Sequence, residues 1–447
     1  MVFLCLWLSV ARAELVEEEA QLLWVVEGSA GEASFGWVTG AMGDIDGDGA
    51  MDVIVGSPFE SNQTGQTHLL SGRSGEPIVS LREYGERLQG SAVAEAGDTN
   101  GDGLPELLTG APGRDSGAAF LYEADGSRLR SFSGENTADN FGIAVSAAGD
   151  ADGDGYGDVV VGADHSDASG TDSGRVYLFS GADGRLLRTL EAESEGDLLG
   201  SGVGDIGDLD GDGRGDIAVG AADAATGARG AVYVFSSADG ERILGPLTGG
   251  RRGFDLGRYF VDGVGDLNGD GKDDLYAADF SDNSATGRAF VYSGADGAVL
   301  LDLSGDYQGE GLGCGRGAGD VDGDGVPDLA IGAWQSDDGA ERAGQVLVYS
   351  GADGAVLQTF TSDLAGENFG FDAVGLGDTN GDGAVDILVG AATGDRVYLV
   401  SGPAAPSEDS GDTGEGPSDG KRCGVVEPAG GWGGVLAGLL ALGRRRG

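Results

Sequence analysis

One acidic pattern, D-x-[DN]-G-D-G-x-x-[DE], recurs seven times in this chain and limits its fold more than any other feature. Its first three copies carry Asp44, Asp46, Asp48 and Asp52; Asp98, Asn100, Asp102 and Glu106; and Asp150, Asp152, Asp154 and Asp158. The next two carry Asp208, Asp210, Asp212 and Asp216, then Asp266, Asn268, Asp270 and Asp274. Asp320, Asp322, Asp324 and Asp328, followed by Asp378, Asn380, Asp382 and Asp386, complete the set. Successive copies start 52 to 58 residues apart, which marks a repeat architecture whose units are single supersecondary elements.

The unit extends beyond its acids. A Phe-Gly or a variant stands before the loop: Phe35-Gly36, Gln89-Gly90, Phe141-Gly142, Leu199-Gly200 and Phe369-Gly370. Units five and six shift this pattern by one residue, in "DLGRYF" (255–260) and "GLGCGR" (311–316). After the loop come an apolar run such as "DVIVGSP" (52–58), a variable segment, an alternating run such as "GRVYLFSGADG" (174–184) and a short run such as "RLLRTL" (185–190). Val, Ile, Tyr and Phe in runs of four to six, punctuated by Gly and Asp-Gly turns, predict four strands per unit. A four-stranded unit cannot bury both its faces alone, and radial repetition solves that problem. The expected fold is therefore all-β, a seven-bladed β-propeller of four-stranded blades. The seventh unit ends at "VYLVSG" without a fourth strand, and residues 22–26 are expected to supply it, closing the ring with the N-terminus.

The acidic loop has the chemistry of a calcium site. Oxygen ligands alternate at positions 1, 3 and 5, glycine at 6 allows the sharp turn, and position 7 contributes only its backbone carbonyl. That seventh residue is Ala50, Leu104, Tyr156, Arg214, Lys272, Val326 or Ala384, a variety that suits a main-chain ligand. The ninth is always a carboxylate, placed to close the sphere. An EF-hand would need Glu at position 12, where this chain has Val55, Thr109, Val161, Val219, Ala277, Ile331 and Val389. Mg²⁺ prefers to keep several waters and demands tighter geometry. About seven Ca²⁺ sites are expected. The formal net charge of −50 points the same way, and argues against nucleic acid and anionic lipid as partners. Three cysteines, Cys5, Cys314 and Cys423, offer no disulfide framework, so calcium is the expected staple.

Pairing of Phe-Gly with "VGSP" (55–58) or "TGAP" (109–112) around this loop resembles the FG-GAP repeat of integrin alpha-chain propellers and their bacterial relatives, over residues 20–402. The resemblance implies calcium between the first and second strands of a blade, on one face. It also implies macromolecular partners on the opposite face, built from the 4–1 and 2–3 loops. Integrins carry such loops on only some blades, whereas here every unit has one. Nothing reproduces the rest of an integrin chain.

No G-x-S-x-G elbow, P-loop or H-E-x-x-H motif occurs, and the two histidines, His68 and His165, stand in or near variable segments. The expected role is thus non-catalytic binding of an extracellular protein or polysaccharide, as in cell adhesion. An extracellular hydrolase or lyase with its site on the loop face, and a structural envelope spacer, are the alternatives. Phe59, Arg251, Arg252, Tyr307 and Trp334, in the variable loops, have the character of interface anchors.

The ends read differently from the body. "MVFLCLWLSVARA" (1–13) has the short apolar core and small-residue site of a secretory leader, with a buried first strand as the alternative. The propeller is expected over 14–402, and 403–422 is an acidic Pro/Ser/Gly linker. Residues 423–447 run from Cys423 through an apolar stretch to three arginines and resemble the MYXO-CTERM type of bacterial surface-sorting tail. That resemblance makes Cys423 the processing or anchoring position, and a plain membrane anchor is the alternative. The whole predicts a monomeric propeller, secreted and held at a bacterial cell surface, touching the membrane only through its tail.

Overall fold

Alternation along the apolar runs decides how the units meet. In Val53-Ile54-Val55 successive side chains point to opposite faces of the strand, yet all three are completely buried. Each blade must therefore be covered on both sides. Val53 and Val55 pack with Val374 and Leu388, while Ile54 packs with Val93 and Leu107.

The computed structural model describes residues 15–17, 20–28, 34–225, 229–249 and 255–402. The expected leader, linker and tail, with Cys423, and also Arg251 and Arg252, lie outside the described residues. Seven four-stranded antiparallel sheets form the blades of a propeller. Blades 1 to 6 span 38–81, 92–133, 145–191, 199–247, 261–304 and 312–361. Blade 7 combines three strands from 369–401 with Gln21–Glu27, so the N-terminal strand closes the ring as expected. In its register Trp24 opposes Leu399 and Glu27 opposes Arg396. The Trp24 indole N–H donates to the Gly72 carbonyl of blade 1 at 2.8 Å, which latches the last blade to the first. Among the described residues no helix is long and apolar enough to cross a membrane.

Seven hydrophobic clusters form, and each lies between two neighbouring blades. The Phe-Gly residues sit in these seams. Phe141 is fully buried with its ring edge-on to Tyr177, 5.2 Å between centroids, and Phe369 meets Tyr398 at 5.1 Å. Leu256, Leu312 and Gln89 take the same place, because each bridges the glycine that opens the third strand of the preceding blade, as Phe141 and Phe369 do. The shift in units five and six is absorbed after the Leu-Gly. Blade 5 starts its first strand late, at Val261, and blade 6 bulges between Leu312 and Cys314. Cys314 itself is buried and unbonded, and burial raises its thiol pKa well above the ordinary range.

Across six of the seven seams a second-strand glycine meets the glycine of the Phe-Gly or its variant, while at the seam of blades 5 and 6 Ala278 stands in the second strand and faces Gly313. A Cβ on Gly110, in blade 2, would lie 2.0 Å from the carbonyl oxygen of Gly142, in blade 3. Gly162 faces Gly200 at 2.0 Å and Gly332 faces Gly370 at 1.8 Å in the same way. No side chain fits there. Gly110→Ala is expected to cost about 1–3 kcal/mol by overpacking, read as a lower urea midpoint at unchanged slope. Gly317→Ala, whose Cβ would meet only the Val264 side chain at 3.6 Å, should stay within about 0.5 kcal/mol.

Candidate metal centres

The acidic loops follow the first strand of each blade, and their own carboxylates shape them. In blade 3, Asp150 Oδ1 accepts the amides of Gly153 and Asp154 at 2.7 and 2.9 Å, and Oδ2 accepts that of Gly155 at 2.9 Å. Asp152 and Asp154 each accept the amide two residues on, from Asp154 at 3.1 Å and Tyr156 at 3.0 Å. Gly155 has φ +91°, a conformation that costs glycine nothing and other residues much. Position 1 thus ties the turn together, which is why it is Asp in every copy.

Position 9 ties the loop to the sheet. Asp158 is fully buried; its Oδ2 accepts the amides of Ala151 and Asp152, and its Oδ1 that of Gly181, in the turn to the outer strand. Asp52 and Asp328 make the same three-point grip. Burial raises the pKa of all seven closing carboxyls, to about 6 for Asp158 and Asp216, with neighbouring loop aspartates adding to the effect. These groups are held where a negative charge is poorly solvated.

Several carboxylates also converge on one another. Oxygens of Asp44, Asp46 and Asp48 lie within 4.8 Å of one another, as do those of Asp150, Asp152 and Asp158; Asp208, Asp210 and Asp216; and Asp320, Asp322 and Asp328. Two oxygens on one calcium, each at 2.3–2.6 Å, stand up to about 5 Å apart, so the donor set fits a hard divalent cation. In blades 5 and 7 the third position is Asn268 or Asn380, each accepting the amide two residues on. Position 7 does more than its backbone requires. Arg214 Nη1 donates to the Ala151 carbonyl at 2.6 Å and Lys272 Nζ to that of Leu209 at 2.5 Å, so both side chains brace the preceding blade's loop.

Residues 36–70, 90–122, 141–179 and 317–349 match the FG-GAP repeat model. These four segments are similar to FG-GAP repeats. They fall on blades 1, 2, 3 and 6. The chain is 32% identical to integrin alpha-4 of Xenopus laevis over 190 residues, 38% of this chain and 18% of that one. It is 30% identical to integrin alpha-5 of Xenopus laevis over 233 residues, 47% of this chain and 22% of the relative. Integrin alpha-PS2 of Drosophila melanogaster matches at 33% over 158 residues, 31% and 11% of the two chains. The chain thus covers about a fifth or less of the length of these relatives.

Away from the acidic loops, the propeller gathers aromatic side chains around one mouth of its central channel. Phe59 meets Trp37 edge-on at 5.5 Å, Trp37 meets Phe371 at 4.8 Å, and Phe371 meets Trp334 at 5.3 Å. Phe59 and Trp334, singled out in the sequence, are therefore joined through two residues that were not. Trp37 and Phe371 directly follow a Phe-Gly, and an aromatic at that place in units one and seven was the available signal. Tyr307 stands apart, its hydroxyl accepting the Asp337 amide. His68 is in the strand Gln66–Leu70, not a variable segment, and its buried ring takes the place of Tyr177 and Tyr398 against Phe35.

The channel behind this mouth is a cavity of about 700 Å³ walled by the first strands. Arg316 donates to both carboxylate oxygens of Asp372, at 2.9 and 2.7 Å. Asp262 and Asp205 also face the channel. Burial pushes the Asp262 carboxyl up to about 6; Arg316 opposes this, while Asp205 and Asp372 add to it. The folded state then holds a proton that the unfolded chain releases near pH 4, so stability falls as pH rises from about 4 to about 6. Asp262→Asn is expected to flatten that part of the stability profile and to raise the melting temperature at pH 7, measured by calorimetry with and without the substitution.

Proposed function

We propose that this chain is an extracellular, non-catalytic ligand-binding or adhesion propeller whose acidic loops bind Ca²⁺ as structural staples. The convergence of three loop carboxylate oxygens within 4.8 Å, found in blades 1, 3, 4 and 6, carries the reading. Such groups repel unless a cation lies between them, and the all-oxygen donor set selects a hard one. Asp44, Asp150, Asp208 and their equivalents supply position 1; positions 3, 5 and 9 and the carbonyl of position 7 complete each sphere. Seven divalent ions would cancel more than a quarter of the net charge of −50.

Similarity to integrin alpha chains, and the resemblance behind it, support an extracellular setting and recognition on the face opposite the loops. On that face the arc of Phe59, Trp37, Phe371 and Trp334 supplies large, half-buried contact area beside an open channel, the composition of an interface anchor. The ligand class is an extracellular protein or polysaccharide. The secretory leader and the anchoring tail complete the proposal.

Calorimetric titration of the full chain with calcium is expected to give about seven sites in the 0.1–1 mM range of extracellular modules. Each site filled at a hundred times its Kd adds about 2.7 kcal/mol, so melting should rise by on the order of 10 °C or more over chelator. An unchanged melting curve would end the staple reading. Retention on a panel of immobilised extracellular proteins and polysaccharides should be lost in Trp37→Ala/Phe371→Ala/Trp334→Ala, with calcium binding intact. Equal retention of that variant would move the contact surface elsewhere.

A further inference from the structure

In six blades a serine ends or directly follows the third strand: Ser71, Ser180, Ser236, Ser293, Ser350 and Ser401. Blade 2 has Glu123 there, opposite Glu106 where the others pair serine with aspartate. In blades 1, 5 and 7 the serine hydroxyl donates to the carboxylate at loop position 5, from Ser71 to Asp48 at 3.2 Å, Ser293 to Asp270 at 3.4 Å and Ser401 to Asp382 at 3.2 Å. An ionised glutamate has nothing to donate. Blade 2 therefore presents acceptor to acceptor where its neighbours present donor to acceptor.

The surrounding changes belong together. Blade 2's turn, "EADG", is one residue shorter than "SGADG", and it lacks the glycine whose amide grips the closing aspartate in blades 1, 3, 5 and 6, as Gly181 grips Asp158 at 3.1 Å. Glu106, the one glutamate among the seven closing acids, instead turns Oε1 to the Asn100 amide at 2.9 Å. Oxygens of Asp102, Glu106 and Glu123 come within 4.8 Å of one another, so the carboxylate triangle of blade 2 is displaced from loop positions 1 and 3 toward the strand end. Arginines from the same turn relieve the acids in two other blades, Arg185 on Asp152 at 2.7 Å and Arg73 on Asp48 at 3.5 Å. None of the ion pairs among the described residues involves Asp98, Asp102, Glu106 or Glu123. Asp125 stands in that turn instead, and burial, then Asp102 and Asp125, raise the Glu123 carboxyl pKa.

Resting on the reading of the loops as divalent-cation sites, we infer that Glu123 is an additional oxygen ligand of the blade 2 site, supplied from outside the loop. It restores the fourth carboxylate that Asn100 removes. Blades 5 and 7 also carry Asn at position 3 but keep serine at the end of the third strand, so their sites have one carboxylate fewer than that of blade 2. Blade 2 is then the strongest of the three asparagine-containing sites, since affinity in such loops follows ligand charge.

Hydrogen exchange of the full chain, titrated with calcium and followed by mass spectrometry, reads each loop separately. In wild type, segment 98–106 should gain protection at lower calcium than segments 266–274 and 378–386. Glu123→Ser, the residue of the other blades, and the near-isosteric Glu123→Gln should each raise the midpoint of 98–106 about tenfold and leave 150–158 unmoved. Asn100→Asp added to Glu123→Ser should return it. An unmoved midpoint in both Glu123 variants overturns the inference while the calcium reading stands. Absence of calcium-dependent protection in every loop of the wild type would remove the reading and the inference together.

Discussion

The contact on which the rest of the molecule depends is the one between two glycines in neighbouring blades. With a Cβ position only about 2 Å from the next blade's carbonyl, Gly110, Gly162 and Gly332 let the backbones approach closer than any side chain allows. That approach is made at one end of each second strand, beside the channel mouth. The bulk of Phe141 or Leu199 beside it, and the clusters farther out, fill the widening wedge between blades. Seam geometry is thereby fixed at six of the seven junctions, with Ala278 against Gly313 at the other, and a constant rotation from blade to blade closes a ring instead of propagating a stack. Ring closure in turn leaves a channel, and each end of the channel receives loops of one kind only.

The acidic loops are the second consequence. Their amides are gathered by the carboxylates at positions 1 and 9 before any ion is considered, so the turn is shaped by hydrogen bonds and only its residual charge asks for a cation. Asp158 binds loop, second strand and outer turn together at once. On the proposed reading, a cation at such a loop would relieve repulsion among oxygens that the fold has brought together.

Much of this was legible in the residues. The seven-fold acidic period gave the blade count, and the missing last strand gave the closure by residues 22–26, because both depend on local pattern repeated at fixed distance. The tolerance of Leu256 and Leu312 in the phenylalanine place was less evident. Their one-residue shift looks like a lost motif in one dimension, but a late strand start or a bulge absorbs it in three. Trp37 with Phe371, and Arg316 with Asp372, could not be paired in advance, since each pair joins different blades and their distance depends on the ring. Glu123 was missed for another reason. Attention to the loop's own nine residues leaves out the strand end that the sheet folds against them.

Separation of the two faces has a mechanical meaning. Charge at the acidic loops and aromatic surface at the opposite mouth are linked only through the seams, whose packing is apolar and whose closest contacts are backbone to backbone. A packed seam of this kind has low compressibility and transmits strain along its length. The mouth can then vary from blade to blade, Trp37 and Phe371 in one arc and Ser91, Ile143 and Ser201 in another, while every blade keeps an Asp at loop positions 1 and 5 and a carboxylate at position 9. Diversity is confined to the loops that the glycine contacts hold apart from the core.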